Sequence, residues 1–439
     1  MPLMSGRIAA LHVPVPFVLG PRLVGTSSYQ NVACQYRGSS LRQIGAANAP
    51  YGDGNGNDLG SWGPGACAWN KGQNLLVTVR TGLSPFQICA VSSDRGVTWS
   101  TITMTPSFLD PSAGQWIGYS VACTPDGSAI VMTGQEGDGG TNSVGDGNVL
   151  VSFDHGSTWA SISLPNGVYL KEPTHPAYGR RYGQVTYCTR LKKFFIGGSG
   201  TGTSAPPLLD PLLADAILPC GAIWASSDGS TWSLVLETPG VFLPRLHPEF
   251  DYGAEMYRLR GVASDQKRGL LAFGWRRHDD NSQAGLRNYL LAYYSTDGVT
   301  WSLANGGYSL TALQGLSAPT AIDFTSMAGD GRGNWCVAGN SVYFPGTGSV
   351  RGGNSSWRTT DNGQSWIDGL DAFGGGPNSG NIKLAAMGDY IFGAQYGAGL
   401  AGFSETAPIL ARTRSGGMVW RTMPPEAQPI ARPKAIATW

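Results

Sequence analysis

The sequence predicts an all-β chain, a β-propeller of four-stranded antiparallel blades, and three observations carry that expectation. An Asp-Gly-Trp corner recurs along the chain, the recurrences are evenly spaced, and each is flanked by four short apolar segments separated by turn residues. A repeat of this length with four strands per unit is the mark of a propeller.

The corner is clearest in "SSDRGVTWS", residues 92–100, and returns as "SFDHGSTWA", "SSDGSTWS", "STDGVTWS" and "TTDNGQSWI". The carboxylates are Asp94, Asp154, Asp228, Asp297 and Asp361, and the indoles are Trp99, Trp159, Trp232, Trp301 and Trp366. Two weaker copies, "QYRGSSL" at Tyr36 and "RSGGMVW" at Ser415, bring the succession to seven positions separated by 54 to 74 residues.

The flanks define each unit. "YSVACTPDGSAIVMTGQ" reads as two strands joined at Pro125-Asp126-Gly127, and "NVLVSF" with "TWASISL" reads as two more joined by the corner. An Asp at such a corner accepts backbone N–H bonds, Gly permits a positive φ, and Trp fills space between neighbouring units. These ten residues are therefore expected to be structural.

The repeats resemble the Asp-boxes of the sialidase superfamily and of other Asp-box (BNR-type) propellers. The resemblance covers about eight residues per repeat and implies the fold rather than an activity. In the resembling enzymes the corners lie on the face opposite the active site. A sialidase-like chemistry would need three arginines on a substrate carboxylate, a Tyr–Glu pair and an Asp near the glycosidic oxygen. "GPRLVG" lacks the Phe-Arg-Ile-Pro pattern of that family, and no catalytic residue can be carried over.

Composition suits strands and turns: 439 residues hold 64 Gly and 14 Trp, with only 13% charged side chains. A chain this long usually splits into domains, whereas repeats grow by adding units around an axis. Residues 1–439 are read as a single propeller domain. Segments 1–60 and 424–439 together form a closing seventh blade, with "LHVPVPFVLG", "YQNVACQY", "SSLRQIG" and "ARPKAIATW" as its strands. The alternative is six blades with an N-terminal arm.

A net charge of +1 without a dense basic run argues against nucleic acid, and scattered Arg reads as solvated surface. No apolar stretch is long enough for a membrane helix, and "RIAALHVPVPFVLG" is interrupted by His12, Pro14 and Pro16, so it reads as a retained segment. The seven cysteines are odd in number and widely spaced, which favours buried free thiols. No metal site or cofactor is expected; the acidic loop with Glu136, Asp138 and Asp146 lacks calcium-ligand spacing.

Long insertions should collect opposite the corners, at 135–147, 164–183, 199–220, 238–257 and 278–286. Within one of them, "LLDPLLADAIL" predicts a short helix over 211–218. Two others concentrate charge: Arg245, His247, Glu249, Asp251, Glu255 and Arg258, then Arg276, Arg277, His278, Asp279 and Asp280. Both segments should reach one face. Arg and carboxylates converging there would bind an acidic or hydroxylated sugar, or form a salt-bridged network that docks a subunit.

Two functional classes follow. The first is a non-enzymatic virion protein, a phage-tail structural or receptor- and glycan-recognition component, made in the host cytoplasm and working in an oligomer with other tail proteins. Low charge, Gly-rich β structure and unpaired cysteines support it, by analogy with propeller modules in phage proteins. The alternative is an extracellular glycoside hydrolase resembling sialidases.

Overall fold

The computed structural model describes residues 17–24, 28–37, 40–44, 63–70, 75–81, 87–103, 115–137, 147–165, 183–201, 219–238, 241–242, 254–278, 287–304, 323–340, 342–343, 350–351, 355–368, 379–387, 390–397, 409–413, 421–422 and 435–437. Among them the chain is all-β. It forms antiparallel sheets of four strands, one extended to five, and a small two-stranded ribbon.

The sheets are numbered here in chain order. Sheet 1 holds Phe17–Val24, Ser28–Arg37 and Ser40–Ile44 together with Ala435–Ala437. Sheet 2 spans residues 63–103, sheet 3 residues 115–162, sheet 4 residues 185–237, sheet 5 residues 241–303, sheet 6 residues 323–368 and sheet 7 residues 379–422. Sheets 2, 3, 4 and 7 are simple meanders, strand one to strand four in order. Sheet 5 gains Val241–Phe242 beside its first long strand, and sheet 6 carries the ribbon Val342–Tyr343 and Val350–Arg351 between its second and third strands.

Each sheet's first long strand packs on that of the next. In sheet 1 the place is taken by Ala435–Ala437, which lies against the first strands of sheets 2 and 7 and pairs with Phe17–Val24 through Val18↔Ile436. These first strands therefore line the inside of a ring. Within "YRGSSL" the register pairs Tyr36 with Leu41 and Arg37 with Ser40.

Why the strands read as continuous apolar runs is clear from their two faces. In sheet 4, Phe194, Ile196 and Trp224 pack with Val131, Val149 and Val151 of sheet 3, while Phe195 and Ile223 pack with Val262, Leu270 and Leu291 of sheet 5. Both faces are dry, so no polar alternation survives. The same packing takes in the thiols. Cys34, Cys89, Cys188 and Cys336 are free and buried and Cys123 is free and half-buried; burial raises the Cys89 pKa and pushes Cys123 and Cys336 up to about 12.

The repeated corners join strands three and four and share one design. A Ser or Thr at the end of strand three accepts the N–H of the corner Gly: Gly96 to Ser92 at 2.7 Å, Gly156 to Ser152, Gly229 to Ser226 and Gly298 to Ser295 each at 2.8 Å, and Gly363 to Thr359 at 2.9 Å. The same hydroxyl donates to the Asp, whose Oδ1 in turn accepts the N–H of the residue before the Trp, at 2.7–2.9 Å. The two corner lengths also have a cause. The longer ones place Arg95, His155 or Asn362 at φ near 60° before the Gly, whereas the shorter ones need only Gly229 or Gly298 beyond 70°.

The corners of sheets 3 to 6 also press on the sheet before them. A Cβ on Gly156 would sit 2.7 Å from Val91 of sheet 2, one on Gly229 3.1 Å from Val131 of sheet 3, and one on Gly298 2.5 Å from Phe195 of sheet 4. Hence Gly answers to both a positive φ and a close approach. Trp159, Trp232 and Trp366 are buried and donate their indole N–H to the carbonyl of the corner Gly at 2.8–3.0 Å. Trp99 makes the same bond at 3.1 Å. Trp301 is the exception: its ring lies edge-on to Phe195, centroids 6.3 Å apart, and its buried N–H has no acceptor.

That difference separates two indoles with the same place in the repeat. Replacing Trp232 with Phe should cost about 1 kcal/mol beyond the packing change, through the lost hydrogen bond. Trp301→Phe should escape that penalty because no bond is lost, and urea unfolding of the two variants checks this.

The corner carboxylates also fix an acid limb. The N–H of Thr231, working against desolvation and helped by Ser230, holds Asp228 at about 2, and the N–H groups of Val299 and Thr300 hold Asp297 at about 2, against an ordinary 3.8. Because the folded values are depressed, this stability is complete above about pH 4 and falls away as pH drops through 2. Asp228→Asn and Asp297→Asn should flatten that limb in a melting-temperature series from pH 5 to pH 2.

Candidate functional site

In every meander the corners of strands one–two and three–four lie at one end of the sheet. The start of strand one, the end of strand two and the start of strand three lie at the other, and the long insertions leave the described residues from there.

Sheet 5 shows what this end carries. The register Met256↔Arg277, Tyr257↔Arg276, Arg277↔Asn288 and His278↔Arg287 places Glu255, Arg276, Arg277 and His278 at one sheet end, with Arg258 one step inward opposite Trp275. Glu255 also pairs with Val241 of the added strand. Arg245, His247, Glu249, Asp251, Asp279 and Asp280 lie outside the described residues, as do Asp138, Asp146 and the helix expected at 211–218.

Two further carboxylate-bearing residues reach the same end. Glu136 stands opposite Trp116 in sheet 3, and Asp323 opposite Asn340 in sheet 6. Asp323 escapes sequence reading because "TAIDFTSMAG" shows only an apolar strand. Its significance comes from the ring, which sets the first strand of sheet 6 against that of sheet 5.

The first strands of sheets 2, 3, 5, 6 and 7 carry a feature that composition does not reveal, a β-bulge toward this end. The register shifts between Pro64 and Ala66 in sheet 2, Gly118 and Ser120 in sheet 3, Leu259 and Gly261 in sheet 5, Phe324 and Ser326 in sheet 6, and Ser379 and Ile382 in sheet 7. Bulges bend a strand and re-aim its side chains, and they gather beside binding sites.

Residues just after the bulges knit neighbouring sheets together. Ser120 Oγ accepts the N–H of Val185 at 3.2 Å, joining sheets 3 and 4, and Ser326 Oγ accepts that of Leu384 at 3.0 Å, joining sheets 6 and 7. Between sheets 4 and 5 the backbones meet directly. Gln184 N–H donates to the Arg260 carbonyl at 2.8 Å, and Val262 N–H to the Gln184 carbonyl at 3.2 Å. The Gln184 side chain continues to sheet 6, with Nε2 donating to the Met327 carbonyl at 3.3 Å and Oε1 accepting its N–H at 3.2 Å. Such an approach needs glycine: a Cβ on Gly183 would fall 1.6 Å from the Arg260 carbonyl oxygen. The sheet ends bearing Glu255 and Asp323 are thereby held by a rigid hydrogen-bonded seam.

Among the described residues no three His, Cys, Asp or Glu side chains group closely enough to hold a metal ion.

No family model matches the chain. A curated xyloglucanase from a Paenibacillus species is 28% identical over 169 residues, which is 38% of this chain and 15% of that protein. Among solved structures, the chain is similar to the GH74 xyloglucanase from Xanthomonas campestris, with a TM-score of 0.46 and 15% identity, covering 83% of this chain and 45% of that one. It is also similar to an α-L-arabinanase from Penicillium chrysogenum, with a TM-score of 0.41 and 14% identity over 75% of this chain and 86% of that one. The chain thus spans less than half the length of both xyloglucanases.

The sequence match corrects the expectation of a non-enzymatic virion or phage-tail structural protein, because the relative is a named glycoside hydrolase. The features behind that expectation have a simpler origin. Free thiols and sparse charge follow from burying both faces of nearly every central strand, whatever setting the protein works in.

Proposed function

We propose that the chain is the propeller of a glycoside hydrolase acting on a xyloglucan-type polysaccharide at the ring end opposite the corners. The observation that carries this reading is the 28% identity over 169 residues with a protein named for that activity. The placement of Glu255 and Asp323 on neighbouring first strands supports it, since glycoside hydrolysis needs two carboxyl groups flanking the scissile bond, one as acid and one as base or nucleophile. The register puts Glu136 opposite Trp116 in sheet 3, and Arg276, Arg277 and His278 in sheet 5, at this same ring end.

The reading includes a ring of seven blades closed by Ala435–Ala437, which is supported by the pairing of that strand with Phe17–Val24. It also keeps the likeness of the corners to Asp-boxes as architecture alone, without sialidase chemistry.

Reducing-end release from xyloglucan, arabinan and a sialylated glycan tests this directly. Turnover of xyloglucan is expected, with Glu255→Gln and Asp323→Asn each losing about 10²–10⁴-fold in kcat while folding normally. No turnover of xyloglucan by the wild type, or full activity in both variants, would overturn the proposal.

A further inference from the structure

The corner end of sheets 4, 5 and 6 carries a second concentration of charge. The hairpins between their first and second strands read "TRLKK", "DQKRG" and "DGRGN", and supply Arg190, Lys192, Lys193, Lys267, Arg268 and Arg332. All are exposed except the half-buried Lys193. The equivalent hairpins of sheets 2, 3 and 7 read "NKGQN", "TPDGS" and "MGDY", with a single Lys among them. In a chain of net charge +1, this is a local asymmetry along one arc of the ring.

The three hairpins form one continuous surface. Thr189 donates its N–H and its hydroxyl to Gln266 Oε1, each at 2.9 Å, and Gln266 Nε2 donates to the Tyr187 carbonyl at 2.8 Å, which joins sheets 4 and 5. Arg268 donates to the Arg332 carbonyl at 3.2 Å, which joins sheets 5 and 6. Arg190 donates to the Thr296 carbonyl. These acceptors are neutral carbonyls, so they fix the guanidinium groups without cancelling their charge.

The carboxylates at the hairpin bases face inward. Asp265 is 5% exposed and its Oδ1 accepts the N–H groups of Lys267, Arg268 and Gly269 at 2.7–2.9 Å. Asp330 is 1% exposed and accepts those of Arg332 and Asn334 at 2.8 and 3.3 Å. Tyr294 is half-buried with its ring over Gly269, and burial and the Asp265 carboxylate raise its pKa against the opposing pull of Arg190 and Arg268.

We propose that these three hairpins form a second, non-catalytic binding surface for a carboxylate-bearing polysaccharide. Planar guanidinium groups held in place match carboxylates by paired N–H bonds, and the half-buried Tyr294 adds aromatic surface against Gly269 of the second hairpin. An extended polymer with a carboxylate on successive residues can follow the surface from Arg190 to Arg268, the two guanidinium groups that backbone carbonyls hold. Single-stranded nucleic acid fits less well, because one half-buried Tyr gives no stacking platform for successive bases, and duplex DNA is a probe in the test. The proposal stands apart from the hydrolase site, which lies at the other end of the ring.

The test uses the full chain and four probes in titration calorimetry at two salt concentrations: polygalacturonate, neutral xyloglucan, duplex DNA and phosphatidylserine vesicles. Polygalacturonate should bind, and more weakly at high salt. The triple variant Arg190→Ala, Arg268→Ala, Arg332→Ala should lose affinity by about tenfold or more. Lys192→Glu, which alters an exposed side chain and keeps the fold should the triple variant not, should lose about threefold. Xyloglucan binding and hydrolysis should be unchanged in both, so a failure of this surface is distinct from a failure of the hydrolase reading. Absent polygalacturonate binding, unchanged affinity in Lys192→Glu, or tighter binding to DNA or vesicles would overturn the proposal.

Discussion

The fold depends on one buried hydrogen bond repeated around the ring, from the corner Gly N–H to the Ser or Thr hydroxyl that ends strand three. In sheets 3 to 6 it must be made because the Gly is wedged against the preceding sheet, where water cannot reach its N–H. The hydroxyl can accept it only by turning its own proton to the Asp, and the Asp is held in place by the N–H before the Trp. Positive φ, close packing and hydrogen-bond satisfaction thus meet at a single residue. Losing any one of the three would leave a buried donor unpaired or two sheets apart.

This division of labour explains why the two ends of the ring differ. The corner end is short-looped and self-satisfied, its carboxylates consumed by backbone donors. At the opposite end bulges bend the described strands, and Ser120, Gln184 and Ser326 tie those strands sheet to sheet. Strand ends held in this way are a suitable base for binding and chemistry. The hairpins of sheets 4 to 6 depart from this rule, because they add exposed charge to an otherwise architectural end.

Sequence reading reached the repeats, the strand meanders and the corner roles because each depends on local chemistry: Asp accepts, Gly turns and Trp fills. It also assigned strands to both chain ends, where "FVLG" and "AIA" show the right apolar character. It could not set Asp323 on the strand next to that of Glu255, since ring order, not sequence spacing, decides which first strands are neighbours. Nor could it see the bulges, which leave no compositional trace, or the axial span of Gln184, whose partner Met327 lies far along the chain. The reading of low charge and free cysteines as marks of a virion failed for a related reason: both follow from two-sided burial.

The most direct test is native-state hydrogen exchange at the amides of Gly156, Gly229, Gly298 and Gly363, measured against urea concentration. If the wedged corner is the constraint on which the ring depends, these amides exchange only through global unfolding, with the urea dependence of the whole molecule. Exchange that is fast and independent of urea would show that the corners open locally, and would contradict the account.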